Sequence, residues 1–550
     1  MMLKKRSNYA GELRKSHVEQ SVTLMGWVFA KRLYKKLAFV DLRDRKGLVQ
    51  LVFVKKNVDL DLINETPLES VIWINGTVVS RKEANPDLFS GDIEVQVSEY
   101  GVINKAEEKL PFAIHEHIDV SEDLRYQYRY LDLRRNKPFH SAILIRHKIY
   151  KAIWDIMDNL GFIHVETPNM IASTPEGARD YLIPSRVHQG KFYALPQSPQ
   201  ILKQILMVSG VDKYFQIAKC FRDEDLRSDR QPEFTQLDIE MSFVTKEDVM
   251  DTIEKISIYL VKEVNGIEIE NNFPILTFEE VMKKFGSDKP DLRWDGFFQT
   301  ITYQTKKFKA IACENASEDS IKNILTSHNW FENSYMIIKQ TQLKTKKLKG
   351  KGNLVLLIPL NNSDDFCSES HELFRRELMK ELNLIKEDQY VFAWVHDFPL
   401  FEFSEEDNRL NPVHHPFTSP HPEDIEKLET SPNNMRANAY DLILNGYEIG
   451  GGSIRIHNQK MQEKIFTILN ISLDEQQNRF GFLLDSFRYG APPHGGMAFG
   501  LDRFLMILAG GDSIREVITF PKNKLGECPL TGAPNEVDTE QLDILGLKIK

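Results

Sequence analysis

Residues 221–240 read FRDEDLRSDRQPEFTQLDIE, a run that combines arginines, an aromatic ring and a file of carboxylates. Arg222 can form paired hydrogen bonds to phosphate oxygens, and Phe234 can stack on a base. The acids can hold magnesium, a substrate amine or ribose hydroxyls. The run therefore indicates a site for a nucleoside triphosphate with its metal ions. A solvated charged loop between two strands is the alternative interpretation, since charge runs usually are that.

The chain has 550 residues, and at roughly 150 residues per domain this length predicts three or four folded units. No stretch approaches the roughly twenty apolar residues that cross a bilayer. The basic start, MMLKKR, has no apolar core after it, so we expect no signal peptide. We therefore expect a cytosolic protein with no membrane partner.

The cysteines and the net charge exclude further classes of protein. No Cys-x-x-Cys pair occurs among Cys220, Cys313, Cys367 and Cys528, so we expect free thiols in a reducing compartment and no zinc site. The net charge of −10 argues against a protein that coats nucleic acid with its whole surface. Any contact with nucleic acid must use local basic patches.

Residues 1–104 alternate short β segments with turns. The predicted strands are Val22–Val28, Leu37–Leu42, Leu48–Phe53, Val71–Val79 and Asp92–Val97. Five short strands of this kind predict an oligonucleotide-binding (OB-type) β-barrel. The segment KRLYKK at residues 31–36, followed by Phe39, interleaves cations with aromatic rings, as a groove for single-stranded nucleic acid does. A solvated hairpin is the alternative.

The remaining chain predicts an α+β protein of several domains. Residues 105–136 are predicted as a linker, and a helix is predicted over Ser141–Leu160, where Gly161 ends it. The later short strands do not repeat the strand–helix period of a doubly wound sheet, so we expect a largely antiparallel sheet with flanking helices. The predicted catalytic parts are residues 137–289 and 386–530, separated by an inserted α/β domain (290–385) and followed by a C-terminal extension (531–550).

Several segments carry residues suited to binding a charged ligand. Glu176 lies in a small, polar loop, TPEGARD, that can move over a ligand. Gln200 and Lys203 are three apart at a predicted helix start and can face one target. Of the adjacent histidines His414 and His415, one is expected to hydrogen-bond to substrate, because neighbours in an extended chain point opposite ways and do not share a metal.

The segment 441–455, DLILNGYEIGGGSIR, is predicted as two paired strands closing on glycines. Asp441 and Glu448 can supply oxygen ligands to a magnesium ion on phosphates, and Arg455 can clamp a carboxylate. Arg503 lies off the apolar face of the helix that follows Gly500, so it is free to bind an anion. No P-loop motif occurs, so the phosphate site must be built from arginines and metal.

These motifs resemble those of a known family. The strand ending at Pro168, FRDE (221–224) and GLDR (500–503) resemble the three ordered motifs of the class II aminoacyl-tRNA synthetases. Five sequence segments between and around these motifs closely resemble those of the bacterial-type aspartyl-tRNA synthetases. They are TPEGARDY (174–181), QSPQ (197–200), QPEFTQ (231–236), HHPFT (414–418) and GYEIGGGS (446–453). The resemblance implies the class II antiparallel catalytic fold, an anticodon-binding barrel and a homodimer formed through Pro168 and its helix.

The resemblance also implies a reaction and its residues. L-Aspartate attacks the α-phosphorus of ATP, pyrophosphate leaves, and a terminal ribose hydroxyl of tRNA-Asp takes the aspartyl group. The catalytic positions are Arg222, Glu448 and Arg503. The aspartate-binding positions are Glu176, Ser198, Gln200, Lys203, Arg222, Asp238, His414, His415 and Arg455. The ATP-binding positions are Arg222, Asp223, Glu224, Gln231, Phe234, Glu448, Gly500, Leu501, Asp502 and Arg503. Asp441 and Glu448 match the Mg²⁺ ligands, and Arg32, Phe39 and Gln50 match the anticodon contacts.

Alternatives remain at several points. An enzyme for asparagine or lysine is disfavoured by Lys203 and Arg455, two cations suited to a side-chain carboxylate. A non-catalytic RNA-binding paralogue would have lost the motif arginines and acids, and a free-standing ligase would not need the barrel. The segment at residues 30–35, AKRLYK, departs from the usual Arg-Arg-Arg-Asp-x-Gly, which leaves open whether tRNA-Asn is charged too. The sequence suggests no function for Asp229 or Arg230, and none for the inserted domain.

Overall fold

The structure is a computed structural model that describes residues 5–114, 119–135, 137–173, 178–226, 229–328, 330–343, 348–350, 352–360, 365–386, 389–405 and 408–549. The chain divides into two compact units, Met1–Arg135 and Asn136–Lys550. No helix in the described ranges is long and apolar enough to span a bilayer. All four cysteines are buried free thiols, as the sequence predicts.

The first unit is a closed five-stranded barrel, which confirms the predicted OB-type fold. Its strands are β1 (Ser21–Tyr34), β2 (Leu37–Asp44), β3 (Gly47–Val54), β4 (Val71–Ser80) and β5 (Ile93–Asn104), joined in the order β1-β2-β3-β5-β4. The β3–β5 pair is parallel and the other pairs are antiparallel. Alternate apolar residues along each strand, such as Val22 and Leu24, fill the barrel interior.

Two features of this unit differ from the prediction. The predicted first strand ends at Val28, but β1 continues to Tyr34, so most of the basic segment lies in a strand and only Lys35 and Lys36 form the turn. The predicted linker contains helices α2 (Glu122–Gln127) and α3 (Arg129–Arg135). A shorter helix, α1 (Asp61–Asn64), lies between β3 and β4.

The second unit contains the remaining elements. Its helices are α4 (Lys137–Asn159), α5 (Gln200–Val208), α6 (Lys246–Asn265), α7 (Phe278–Lys284), α8 (Glu318–Ser327), α9 (Glu369–Glu381), α10 (Gln459–Ile468), α11 (Leu473–Phe487), α12 (Leu501–Leu508) and α13 (Thr539–Leu545). Its strands are β6 (Ile163–His164), β7 (Leu182–Pro184), β8 (Phe192–Ala194), β9 (Lys213–Phe221), β10 (Glu233–Ser242), β11 (Ile275–Thr277), β12 (Gln299–Tyr303), β13 (Lys306–Cys313), β14 (Met336–Lys339), β15 (Leu354–Pro359), β16 (Phe392–His396), β17 (Phe401–Ser404), β18 (Arg409–Pro412), β19 (Ala439–Leu444), β20 (Tyr447–Ile454) and β21 (His494–Gly500).

The central sheet of this unit has eight strands in the order β11-β16-β19-β20-β21-β10-β9-β6. Only the outermost pairs, β11–β16 and β6–β9, are parallel, which confirms a largely antiparallel sheet. Helices α4, α6 and α12 contribute to the apolar core that covers one face, with Ile153, Ile253 and Phe504 among the buried side chains. The other face is left to the polar residues described below.

A smaller sheet of four strands, in the order β12-β13-β15-β14, lies within the range predicted as an inserted domain. It shares an apolar core with α8 and α9, in which Trp294, Leu356 and Phe374 are buried. The segment predicted as a strand from Phe162 to Pro168 forms only the two-residue strand β6 at the sheet edge.

Candidate active site

A cavity of about 690 Å³ opens on the polar face of the eight-stranded sheet. Its lining includes most of the positions that the sequence predicts for ligands: Ser198, Gln200, Lys203, Arg222, Glu224, Gln231, Phe234, His414, His415, Asp441, Glu448, Arg455, Gly500, Asp502 and Arg503. These residues come from several separate segments of the chain, and the antiparallel sheet brings them together. Glu176 lies outside the described residues.

Strand β10 forms the floor of the cavity, because side chains along a strand point alternately to the two faces of the sheet. The odd-numbered residues Leu237, Ile239 and Met241 pack into the apolar core. The even-numbered residues therefore face the opposite side of the sheet, from Phe234 through Asp238 to Glu240. One alternating strand thus supplies an aromatic ring that lines the cavity and two carboxylates, Asp238 and Glu240, that are completely buried and absent from the cavity lining.

At the closed end of the cavity, two cations and two carboxylates form one buried network. Nζ of Lys203 on α5 lies 3.1 Å from Oδ1 of Asp238 and 3.4 Å from Oε2 of Glu240. Arg455 donates from Nε to Oε1 of Glu240 at 2.9 Å and from Nη2 to Oε2 at 3.2 Å. All four side chains are 2 % exposed or less. We call Lys203, Asp238, Glu240 and Arg455 the charge network.

The two acids of the charge network differ in their titration. Burial raises the pKa of Asp238, and Lys203 only partly offsets this effect. Burial would also raise the pKa of Glu240, but the nearby charges of Arg455 and Lys203 outweigh it and lower that pKa. Glu240 is therefore the firmly ionised member that holds both cations, while Oδ2 of Asp238 is buried without a hydrogen-bond partner among the described residues.

Sequence reasoning missed Glu240 and took Lys203 and Arg455 as two cations that only the substrate would neutralise. The structure corrects this picture, because Glu240 already pairs with both. The signal was present in the sequence: Glu240 is two residues from Asp238, so on a strand it must share its face. Gly496, opposite on β21, leaves room for it, since a Cβ there would lie 2.2 Å from Oε2 of Glu240.

The two adjacent histidines have different surroundings. Nε2 of His415 lies 2.7 Å from Nη1 of Arg455, so the ring extends the charge network. Burial and the charge of Arg455 hold the pKa of His415 well below its usual range, which keeps the ring neutral. His414 packs edge-on against Phe398 with ring centroids 4.9 Å apart. Its Nε2 is buried and has no hydrogen-bond partner in the part of the chain that the structure describes.

At the open end of the cavity, the charged residues form pairs that are more exposed. The guanidinium of Arg222 lies over the ring of Phe234, 5.1 Å from its centroid. Glu224 accepts from Arg230 at 2.9 Å, and Arg503 pairs with Asp229 at 3.1 Å. Arg503 also donates to the backbone carbonyl of Glu448. Asp229 and Arg230, which received no role from the sequence, are thus not simply solvated, because both line the cavity and pair with predicted ATP contacts.

Asp441 and Glu448 face the same point beside the bare backbone of Gly451. A Cβ added at Gly451 would lie 2.6 Å from Oδ1 of Asp441 and 3.7 Å from Oε1 of Glu448. Burial and the charges of Glu448 and Asp288 raise the pKa of Asp441 well above its usual range, and its Oδ1 has no hydrogen-bond partner within the described ranges. Two converging carboxylates of this kind are the donor set that Mg²⁺ prefers. No group of three or more His, Cys, Asp or Glu side chains in the described residues is arranged to hold a metal.

Four of the predicted ATP positions have other surroundings. Leu501 is completely buried in the apolar core, so its side chain does not reach the cavity. Asp502 accepts from the backbone amide of Thr235 at 2.7 Å and pairs with Arg146 of α4. Both ends of the Gln231 amide bond to the backbone of Lys522, at 3.1 and 2.8 Å. Asp223 lies beside Arg179 at 3.9 Å and is absent from the cavity lining. Gln231 and Asp502 still line the cavity, whereas Leu501 and Asp223 do not, and the assignment of these four residues to ATP stays a prediction.

The barrel of the first unit carries the three predicted anticodon contacts on neighbouring strands. Arg32 on β1 is paired with Phe39 on β2, with its guanidinium 5.8 Å from the ring centroid. It donates to Oε1 of Gln50 on β3 at 2.9 Å. Gln50 also accepts from Arg81 at 2.8 Å, a second cation that the sequence did not reveal. The result is a surface with cations beside an aromatic ring, which suits single-stranded nucleic acid.

Comparisons with known proteins agree with this geometry. The family model for class II tRNA synthetases (D, K and N) matches residues 121–524, and the model for the OB-fold nucleic acid binding domain matches residues 22–103. The chain is 45% identical over 594 residues to the aspartate–tRNA ligase of Staphylococcus saprophyticus, with 100% of both chains covered. It is 44% identical over 583 residues to the aspartate–tRNA(Asp/Asn) ligase of Natranaerobius thermophilus, with 99% of both chains covered.

Solved structures show the same fold at lower sequence identity. A putative aspartyl-tRNA synthetase from Leishmania major has a TM-score of 0.64 and 21% identity, with 95% of each chain covered. Asparaginyl-tRNA synthetase from Pyrococcus horikoshii with asparaginyl-adenylate has a TM-score of 0.63 and 20% identity, with 94% of this chain and 98% of that chain covered. The two family models and the full-length relatives establish that the chain belongs to the class II tRNA synthetases and, within them, to the aspartyl-tRNA synthetases of bacterial type.

Proposed function

We propose that the cavity joins L-aspartate to ATP as aspartyl-adenylate and then transfers the aspartyl group to the 3′-terminal ribose of tRNA-Asp, as an aspartate–tRNA ligase does. The observation that carries this proposal is the charge network. It supplies buried partners for a small ligand that bears both an ammonium group and a side-chain carboxylate. The open end of the same cavity supplies arginines for the phosphates of ATP.

The proposed reaction needs no nucleophile from the enzyme. The α-carboxylate of aspartate attacks the α-phosphorus of ATP, and pyrophosphate leaves with the bonding electrons. Arg222 lines the same cavity as Lys203 and Arg455, and its proposed role is to bind both the α-carboxylate and the α-phosphate and bring them together. Phe234, which already has a guanidinium over its ring, can stack on adenine. Catalysis then rests on positioning and on stabilising the charge that develops at the α-phosphate.

Recognition of aspartate follows from the charges at the closed end. The substrate ammonium binds at Asp238, whose free Oδ2 lacks a partner among the described residues, with Ser198 and Gln200 of the α5 segment nearby. The substrate side-chain carboxylate binds at Lys203 and Arg455. Glu240 already holds both cations, so the substrate carboxylate would accept hydrogen bonds from Lys203 and Arg455 alongside Glu240. An amide in its place would bring two further donors against those of Lys203 and Arg455, which explains a preference for aspartate over asparagine.

The structure also favours one of the two histidines as a substrate contact. His415 is engaged by Arg455 at 2.7 Å, so we assign it to holding that arginine in place. His414 lines the cavity and its Nε2 is buried with no partner in the described chain. We therefore propose that His414 contacts the bound aspartate.

Asp441 and Glu448 would hold a Mg²⁺ ion that accompanies ATP. Such an ion neutralises phosphate charge and so helps pyrophosphate to leave. Burial, and then the neighbouring charges of Glu448 and Asp288, raise the pKa of Asp441, and a bound cation would relieve the repulsion between these acids. Arg503, the other proposed catalytic residue, binds at the far end of the triphosphate.

Two proposals concern tRNA. The barrel surface around Arg32, Phe39 and Gln50 is proposed to bind the anticodon. Charging of tRNA-Asn in addition to tRNA-Asp is a second candidate activity, favoured by the departure at residues 30–35 and by the relative that is an aspartate–tRNA(Asp/Asn) ligase. Charging assays with both transcripts test these points. Aspartylation of neither transcript would refute the proposed function, and Arg32→Ala should reduce charging about tenfold while leaving pyrophosphate exchange unchanged.

We also propose a cytosolic homodimer. Large apolar side chains along α4 and the edge strand β6 are exposed, including Trp154 at 47% and Ile163 at 54%. An apolar surface beside an unpaired strand edge is typical of an interface between subunits. Trp154→Glu should therefore give monomers in sedimentation experiments, and the control Phe403→Glu, at another exposed apolar side chain, should not. A wild-type chain that stays monomeric at all concentrations contradicts the dimer.

A further inference from the structure

The loop that joins β9 to β10 carries Asp229 and Arg230, which neither the sequence motifs nor the proposed reaction assigns to a task. In the structure each forms an ion pair with a residue proposed to bind ATP. Oδ2 of Asp229 lies 3.1 Å from Nη2 of Arg503, and Nη1 of Arg230 lies 2.9 Å from Oε2 of Glu224. The loop residues thus occupy two positions of the proposed ATP site.

The Asp229–Arg503 pair differs from the charge network in its exposure. The side chains of Arg503 and Asp229 are 25% and 32% exposed, compared with 2% or less in the charge network. An ion pair that is partly hydrated is weak and can be replaced by a stronger anion. A triphosphate carries more negative charge than one carboxylate, so it can take the place of Asp229.

The guanidinium of Arg503 has a second anchor that does not depend on the loop. Its Nη1 donates to the backbone carbonyl of Glu448 on β20. The Nη2 group and the buried Nε, which has no hydrogen-bond partner in the described residues, are then available for phosphate oxygens. When Asp229 leaves, Arg503 therefore keeps its orientation, so Asp229 is not needed to hold it in place.

From these contacts we propose that Asp229 is a placeholder for a phosphate group of ATP. In the nucleotide-free enzyme its carboxylate neutralises Arg503, and ATP displaces it on binding. This inference rests on the proposed function, because it takes Arg503 as an ATP contact. It assigns Asp229 a positioning role in the ATP-binding step: its pairing with Arg503 opposes ATP binding and ties the β9–β10 loop to α12 until ATP arrives.

Calorimetric titration of the full chain with ATP and Mg²⁺, without aspartate, tests this placeholder. Asp229→Asn removes the competing charge, so the Kd for ATP should fall about two- to fivefold, the range expected for a partly exposed ion pair. A merely structural role would not tighten ATP binding.

Two further variants make the result specific. Asp225→Asn removes the same charge from an exposed position in the same loop and should leave the Kd for ATP unchanged. Asp229→Glu keeps the carboxylate and should behave as the wild type. An Asp229→Asn variant that binds ATP as the wild type does, or more weakly, overturns the placeholder. Wild-type pyrophosphate exchange with aspartate tests the proposed function separately, because ATP affinities can be compared whether or not that exchange occurs.

Discussion

The two ends of the cavity use similar residues in opposite ways. At the closed end, Lys203 and Arg455 pair with acids at side-chain exposures of 2% or less. At the open end, Arg503 pairs with Asp229 at exposures of 25% and 32%. Buried pairs are costly to break, whereas exposed pairs contribute little and exchange readily. The ion pairs at the closed end therefore keep one fixed arrangement, whereas the arginine at the open end can exchange one anionic partner for another.

This difference fits the two substrates. Aspartate is small and must be distinguished from asparagine by one polar group, which requires fixed, desolvated partners. ATP carries large charge and must enter while pyrophosphate must leave. An arginine that is ion-paired to a partly exposed acid of a loop suits that exchange, because the pair is weak and a phosphate can replace the acid.

The largest expected effect comes from removing the carboxylate that both buried cations share. Glu240→Gln leaves Lys203 and Arg455 without their common anion, so the free energy of unfolding should fall by about 3–5 kcal/mol. Denaturant unfolding at pH 7 measures this. Asp485→Asn, which removes an acid from an exposed pair with Arg488, serves as the control and should change stability by less than about 1 kcal/mol. Equal effects of the two substitutions would contradict the rigid closed end.

Lys203→Ala should reduce aspartate-dependent pyrophosphate exchange about a hundredfold or more, because the side-chain carboxylate of aspartate loses a buried cation. The affinity for ATP alone should change little. Lys255→Ala, which removes an exposed pair with Asp251 on α6, provides the matched control. Near-normal exchange by a folded Lys203→Ala protein would remove this lysine from the aspartate site.

Asp441→Asn should have opposite effects on stability and activity. The pKa of Asp441 is raised in the folded protein, so its contribution to stability is present below the unfolded pKa of about 4 and is lost as the pH rises through the folded value. Without Mg²⁺ at pH 7, the substitution should therefore raise the free energy of unfolding, by about 1 kcal/mol or more. Thermal unfolding in EDTA measures this gain, and pyrophosphate exchange should be lost. A loss of stability would show that Asp441 is a structural residue.

A smaller effect is expected from His415. Its folded pKa is depressed by burial and by Arg455, so below about pH 6.5 the unfolded chain takes up a proton that the folded chain does not. This single site should cost about 1 kcal/mol of stability between pH 6.5 and 5.5. His415→Gln should flatten the stability profile by that amount over this interval. An unchanged profile would mean that the ring can accept a proton beside Arg455.

The sequence was sufficient to predict a structural feature where a single periodic pattern of apolar residues or a single motif determines that feature. The alternation of apolar and polar residues along the first strands was enough to predict the OB-type barrel. The order of the three motifs was enough to predict the antiparallel sheet, and Gly161 marked the end of α4. Sequence reasoning failed where the outcome depended on which charges meet across the sheet. The pairing of Glu240 with Arg455 joins residues 215 positions apart, and that of Arg503 with Asp229 joins residues 274 apart. The motif position of Leu501 likewise did not reveal that its side chain turns into the apolar core.

Exchange of pyrophosphate into ATP by the purified chain, compared across aspartate, asparagine and lysine, tests most directly whether the buried end of the cavity selects aspartate. The charge network predicts exchange with aspartate and a rate at least about a hundredfold lower with asparagine and with lysine. Comparable exchange with asparagine or lysine, or none with aspartate, would contradict the central claim that the buried end of the cavity selects aspartate.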